Sequence, residues 1–206
     1  MLRTTIAALA ALTFGATAHA GTVYATDIDW ANNGTVGSSN DRDNPLNALG
    51  APDNKFVSLG LSNGDGSNPG FAVFDFGGTL ASGLAQVWEV TFGCSTNGCT
   101  HYPESVEVWV GTDYMFGTHN FADVMDDFTF AGELFNSDAQ MGTGVLINQA
   151  FRYIALVDSS KKNFPFGPST DGFDVDSVAV NSVPVPAAAL LMAPALIALA
   201  RRKRKV

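Results

Sequence analysis

The densest run of groups able to do chemistry is Asp171-Gly172-Phe173-Asp174-Val175-Asp176. In an extended segment, residues two apart share a face, which places the Asp174 and Asp176 carboxylates together. Adjacent carboxylates repel unless a cation or a proton joins them. Calcium takes about six to eight oxygens from carboxylates, carbonyls and water, so this run needs a second contributor. Asp41, Asp43, Asn44 and Asp53 form another oxygen-rich stretch. The bland alternative for both is a solvated acidic strand edge with Asx turns, which explains the residues without an ion. Asn63-Gly64-Asp65-Gly66-Ser67-Asn68 lacks the glutamate that closes an EF-hand loop and reads as a flexible loop.

Aromatics are the second source of chemistry. Trp30, Trp88 and Trp109, with Tyr102 and Tyr114, offer faces on which a sugar ring can stack. Trp88 and Phe92 fit a core. Trp109 opposes the Val106/Val108/Val110 face, and Tyr102, Tyr114 and His119 lie in loops, so these four form the candidate binding set. No catalytic residue is assigned. The chain has no G-x-S-x-G, no H-E-x-x-H and no glycine-rich phosphate loop opening a helix. Acid pairs for glycoside hydrolysis can be drawn among twenty carboxylates, and that abundance removes the signal.

Both ends of the chain differ from its middle. Met1 to Ala20 carries Arg3, an apolar run and the small-residue pair Ala18 and Ala20, the parts of a secretory signal peptide cleaved before Gly21. At the other end, Val183 to Ala200 is apolar and Arg201-Arg202-Lys203-Arg204-Lys205 follows. That length is just inside the range for one membrane helix, with the basic cluster left in the cytoplasm. Between them, residues 21–182 make one domain. Arg3 and the five tail cations are six of the eleven, and none of the twenty acids lies in the ends. The body therefore sets five cations against twenty carboxylates, a net of −15. Nucleic acid and anionic lipid are poor partners for it, whereas divalent cations and neutral or cationic polymers are compatible. In an exported chain, Cys94 and Cys99, with four residues between them that include Asn97-Gly98, favour a disulfide pinning one turn.

The elements that must position these groups read as strands. Thr22 to Thr26, Phe56 to Leu59, Phe71 to Phe76, Val87 to Phe92, Ser105 to Val110, Phe128 to Phe135, Phe151 to Val157 and Phe173 to Val180 make about eight. Phe71 to Phe76 is apolar nearly throughout, so it belongs between two layers. Phe151, Tyr153, Ala155 and Val157 fall on one face. The apolar phase changes between Phe173/Val175 and Val178/Val180, which predicts a bulge. Residues 116–127 hold a helical turn or a long loop. The fold class is all-β, a jelly-roll sandwich.

Two resemblances stand on these residues. Val183-Pro184-Val185-Pro186-Ala187, the apolar run and the terminal Arg201-Arg202 cluster resemble the PEP-CTERM group of sorting signals in its VPxPA variant, with Val185 in place of the usual Leu. This implies a Gram-negative bacterium, signal peptidase and an exosortase-type protease as partners, a transient hold on the inner membrane, and delivery to the surface or extracellular matrix. Within the body, Ala48-Leu49-Gly50-Ala51-Pro52-Asp53, Phe56-Val57-Ser58-Leu59-Gly60, Ala72-Val73-Phe74-Asp75-Phe76 and Asp171 to Val178 resemble galactose-binding-like, discoidin-type jelly rolls. That resemblance implies loops that bind glycans and a structural calcium shared by an early loop and the last strand. The metal set is then Asp41, Asp43, Asp53, Asp171, Asp174 and Asp176. The expected function is a non-enzymatic surface or matrix protein that binds polysaccharide or is structural. The rival is a secreted polysaccharide hydrolase using Asp and Glu as acid and base.

Overall fold

The computed structural model describes residues 21–65, 67–90, 101–136 and 144–182. The expected signal peptide over 1–20, the Cys94/Cys99 bridge and the sorting signal from Val183 onward lie outside the described residues. Residues Gly21–Val183 form a unit of their own. Among the described residues no helix is long and apolar enough to cross a membrane.

Among the described residues, ten strands build two five-stranded antiparallel sheets, a β-sandwich. The strands are β1 Thr22–Tyr24, β2 Asp27–Trp30, β3 Val57–Ser58, β4 Phe71–Leu80, β5 Gly83–Glu89, β6 Ser105–Gly111, β7 Thr129–Phe135, β8 Gly144–Ile147, β9 Phe151–Asp158 and β10 Asp174–Ser182. The first sheet runs β1-β10-β5-β8, with β3 also on β10; the second runs β2-β4-β9-β6-β7. Each of the eight expected strands overlaps an observed one, but β5 starts at Gly83, four residues before the expected Val87, and Phe92 lies outside the described residues. The two unpredicted strands are β2 and β8. In β2, Asp-Ile-Asp-Trp alternates acids with apolar residues, and the Asp29 carboxylate is buried by partners far along the chain. The four residues of β8 are too short to show a period.

Alternation decides which side chains meet between the sheets. In β5, Ala85 and Val87 face inward; in β6, Val106, Val108 and Val110 do. Strand β4 feeds both sides: Ala72, Phe74 and Phe76 enter the main core, while Phe71 and Val73 enter a second cluster on the outer face of the second sheet. The helix α1, Phe121–Asp127, covers that outer face through Val124 and Phe121. Asn120 caps it, its side chain accepting from the Ala122 N–H at 3.1 Å. This is why Phe71 to Phe76 is apolar on both faces. Two placements differ from the alternation. Trp88, next to the inward Val87, falls on the outer face of β5 and lies half-buried near Tyr24, with ring centroids 6.3 Å apart. Phe151 enters the main core while Tyr153, Ala155 and Val157 enter the second cluster, because the β4–β9 register shifts between Asp75 and Leu80. The predicted bulge in β10 lies between Val175 and Ser177.

A cross-strand ion pair ties β4 to β9. Arg152 Nε and Nη2 donate to the Asp75 carboxylate at 2.9 and 2.7 Å, and the Gly77 N–H adds a third donor at 2.8 Å. The Arg152 hydrogen bond, set against burial, holds Asp75 below the ordinary carboxylate value of 3.8. A depressed acid contributes stability above its unfolded value and loses it as pH falls through its folded value. Arg152→Ala should therefore lower stability modestly near neutral pH, because the guanidinium is largely solvated. The difference from the parent should shrink in acid. Urea unfolding of both proteins at two pH values checks this.

Candidate functional site

Three chemically rich places stand out on the sandwich. At one end, the loop before β3 meets the start of β10. Arg42 pairs with Asp171, the Ser58 hydroxyl donates to Asp174 at 2.5 Å, and Asp176 accepts the Asp53 and Asn54 N–H groups at 3.0 and 3.1 Å. Here the six carboxylates predicted to hold calcium can be judged by what their oxygens already do. Asp171 is on Arg42 and Asp53 is on Lys55 at 2.9 Å. Asp41 accepts from Asn44 at 3.0 Å, and both oxygens of Asp176 take backbone donors. Asp43 is half-buried in the loop. The early loop and the last strand are neighbours, and protein donors already sit on oxygens of Asp41, Asp53, Asp171, Asp174 and Asp176. Asp174 and Asp176 do not act as a pair, because the bulge separates their roles.

The acids that lack donors are different ones. Among the described residues, three buried side-chain oxygens have no hydrogen-bond partner: both of Glu89 and Oε2 of Glu104. Each residue is 4% exposed. Glu89 ends the inward row Ala85-Val87 of β5, and Glu104 begins the inward row Val106-Val108-Val110 of β6. Burial, then the nearby Glu104 and Asp174 carboxylates, push Glu89 up to about 10. Burial, then Asp174, push Glu104 up to about 9, against relief from the Ser169 hydroxyl. Asp174 itself is pushed up to about 7, by burial foremost. Gly172 lets the chain turn beside this group: its φ is +78°, and a Cβ there would meet the Gly60 carbonyl oxygen at 2.5 Å. Sequence reading missed Glu89 and Glu104. The signal present was an acid standing where each strand's alternation calls for an apolar side chain.

The second place is a cleft of about 270 Å³ on the outer side of the second sheet. Phe121 and Met125 of α1 form one wall, with Pro69 and Val157 adding apolar surface. Its polar groups are Asn63 and the ion pair of Lys162 with Glu107, at 2.5 Å. Lys162 belongs to a short helix, α2 Ser160–Asn163. Asp158 lines the floor, and burial pushes it up to about 6. Its oxygens accept the Ser62 N–H at 2.8 Å and the Ser160 hydroxyl at 2.5 Å.

The predicted aromatic set is dispersed. Trp109 is half-buried, packs edge-on against Phe130 with centroids 5.3 Å apart, and donates its indole N–H to Glu107 at 3.0 Å. It thus braces the acid of the cleft pair from behind. Tyr102 is exposed at the start of the segment leading into β6. Tyr114 is not a surface residue. It is 8% exposed in the second cluster, and its hydroxyl donates to buried Asp29 at 2.9 Å, with burial and that carboxylate raising it. His119 is spent on the same carboxylate, its Nδ1 lying 2.5 Å from Asp29. Tyr114 and His119 therefore organise the loop ahead of α1, the third place of note.

No family model and no curated protein matches the chain. Solved structures do. CBM32 of AlyQ, in complex with 4,5-unsaturated mannuronic acid, is 14% identical over 78% of this chain and 97% of its own, with a TM-score of 0.46. Chitosan-binding module 1, from a chitosanase/glucanase of Paenibacillus sp. IK-5, is 11% identical over 68% and 86%, with a TM-score of 0.40. CBM32-3 from a family 31 glycoside hydrolase of Clostridium perfringens is 10% identical over 77% and 90%, with a TM-score of 0.41.

Proposed function

We propose that this chain is an exported, non-catalytic carbohydrate-binding protein of the galactose-binding-like jelly-roll type, sorted to the cell surface by an exosortase-type system. The cleft between α1 and the second sheet is the observation that carries the binding reading. Small-ligand sites are concave and largely apolar, with a few placed polar groups, and are about 300 Å³ or more. This one pairs Phe121 and Met125 with Asn63 and the Lys162–Glu107 pair, at about 270 Å³. An apolar ring face set against fixed donors and acceptors suits a pyranose, which has an apolar face and a polar rim.

Charge narrows the glycan class. All five cations of the body are engaged: Arg42, Lys55, Arg152 and Lys162 with carboxylates, and Lys161 with the Gly167 carbonyl at 2.6 Å. A body of net −15 with its cations committed repels polyanions. Neutral or amino-sugar polymers are the preferred partners. The rival hydrolase reading needs an acid free to protonate a glycosidic oxygen. Asp158 is the raised acid of the cleft, but it is 3% exposed and its oxygens are held by Ser62 and Ser160.

The test is affinity electrophoresis and calorimetry of the full chain against neutral glucans, chitosan oligomers and uronate oligomers. The expected result is binding to a neutral or amino-sugar arm, weakened about tenfold or more by Phe121→Ala, as removal of a central aromatic anchor does. Binding confined to uronates, or binding indifferent to Phe121→Ala, sinks the cleft assignment. Release of reducing ends that Asp158→Asn abolishes would establish the hydrolase instead.

A further inference from the structure

We propose that Asn63 is a site of spontaneous covalent modification: the Gly64 backbone nitrogen attacks its side-chain amide, and water then leaves an aspartyl or isoaspartyl residue on the cleft. The inference stands apart from the glycan reading, because it concerns the chain's own bonds.

An asparagine followed by glycine can close a five-membered ring on itself. Glycine has no Cβ to block the approach and leaves the backbone free to bend. The chain has three such pairs, Asn33-Gly34, Asn63-Gly64 and Asn97-Gly98. The third lies outside the described residues, and the structure separates the other two. The Asn33 carboxamide is half-buried and bonded at both ends. Its oxygen accepts the Thr35 N–H and hydroxyl at 3.2 and 2.7 Å. Its nitrogen donates to the Leu61 and Asn68 carbonyls at 3.2 and 3.3 Å. The nucleophile of that pair is held as well, since the Gly34 N–H donates to Asn32 Oδ1 at 2.9 Å. Ring closure at Asn33 must break several of these bonds.

Asn63 is held by much less. It is exposed, and its Nδ2 donates to the hydroxyl of Ser67, itself exposed, at 2.9 Å. Among the described residues the Gly64 N–H has no hydrogen bond to lose. Gly64 is exposed too, so the turn can bend towards the ring geometry without displacing a packed side chain.

The reaction balances without oxidation or reduction. A solvent base takes the Gly64 N–H proton as that nitrogen bonds to Asn63 Cγ. The Cγ–Nδ2 bond breaks, and Nδ2 leaves as ammonia with a proton from solvent. Water adds to one of the two ring carbonyls and reopens the succinimide. One opening restores the ordinary peptide link, and the other routes the chain through the side chain. One water is consumed and one ammonia released. Asn63 lines the cleft with Glu107 and Asp158. The product exchanges a group that donates and accepts for one that, ionised, only accepts, and adds negative charge beside two carboxyl groups. Because ammonia is lost, the change accumulates with the age of the chain.

The experiment is peptide mapping by mass spectrometry of the full chain aged in warm, mildly alkaline buffer, native and in guanidinium chloride. The expected native result is a gain of one dalton at Asn63, in two separable products, about tenfold or more faster than at Asn33. In denaturant the two rates should converge, because the hydrogen bonds guarding Asn33 are gone. Gly64→Ala should sharply slow the native conversion at position 63 and leave Asn33 as it was. A Cβ at position 64 meets only the Lys161 carbonyl, its oxygen at 3.6 Å, an ordinary contact, so this variant keeps the fold. An unchanged Asn63, equal native rates at the two sites, a full difference that persists in denaturant, or conversion indifferent to Gly64→Ala overturns the proposal.

Discussion

The Glu89→Gln/Glu104→Gln variant should melt above the parent near pH 8 and close to it near pH 4. The sign follows from the direction of the shifts. Both glutamates are raised in the folded protein, to about 10 and about 9, from an ordinary value of 4.5. Between those limits the folded chain keeps protons that the unfolded chain has released. Stability is thus fully present below the unfolded value and is lost as pH rises towards the folded values. Each group removes at most about 1.4 kcal/mol per pH unit across that window. Local relaxation and water entry reduce this, and a net gain of about 2 kcal/mol for the variant in mild alkali is the expected size. Glutamine keeps the shape and removes the titration, so the gap between the proteins should widen steadily with pH. A gap that is constant from acid to alkali would show that the two side chains act through packing alone.

Asp29→Ala should be the most damaging single change among the polar residues of the second sheet. One Asp29 oxygen accepts the Tyr114 hydroxyl and the Gly117 N–H, at 2.9 and 3.0 Å, and the other meets His119 Nδ1. His119 sits at φ 49°, a left-handed backbone that a non-glycine residue holds only when its surroundings insist. Removing the carboxylate orphans a buried hydroxyl and a backbone N–H, and releases that histidine. At about 1–3 kcal/mol for each buried donor, a loss of about 3 kcal/mol follows. The loop from Tyr114 to Asn120 leads into α1, so the cleft wall of Phe121 and Met125 should loosen as well. Limited proteolysis should find new cuts in this loop, and calorimetry weaker glycan binding. Asp29→Asn keeps an acceptor and should cost less. A destabilisation within about half a kcal/mol, the range of ordinary surface changes, would refute this account.

Much of the sandwich was readable from alternation alone. Val106, Val108 and Val110 declare one face of β6, and the doubly apolar run from Phe71 to Phe76 declares a sheet covered on both sides. The phase change after Val175 announced the bulge. Strand β2 escaped because its buried acid is stabilised by Tyr114, Gly117 and His119, more than eighty residues away, and local pattern carries no trace of them. The candidate sites were harder to read. A count of oxygens picked out Asp171, Asp174 and Asp176, but could not tell a carboxylate already clamped by donors from one left wanting. Glu89 and Glu104 lie fifteen positions apart as single acids in apolar rows. Their meeting is a property of the packed sheets. The cleft drew on Phe121, Met125 and Lys162, none of which stands in a motif.

The pairing of β1 with β10 has a mechanical consequence. Thr22 lies opposite Asn181, so β1 and β10 run side by side with the start of one and the end of the other at the same pole. Tension between those ends would part the ladder one rung at a time, because antiparallel hydrogen bonds then lie along the pull. A load passing from the end of β10 into the rest of its sheet takes another route. It shears β10 along β5, where residues 177–182 lie in unbroken register with 83–88, and every rung resists together. A force applied at the end of β10 therefore meets more resistance along β5 than across the β1 ladder.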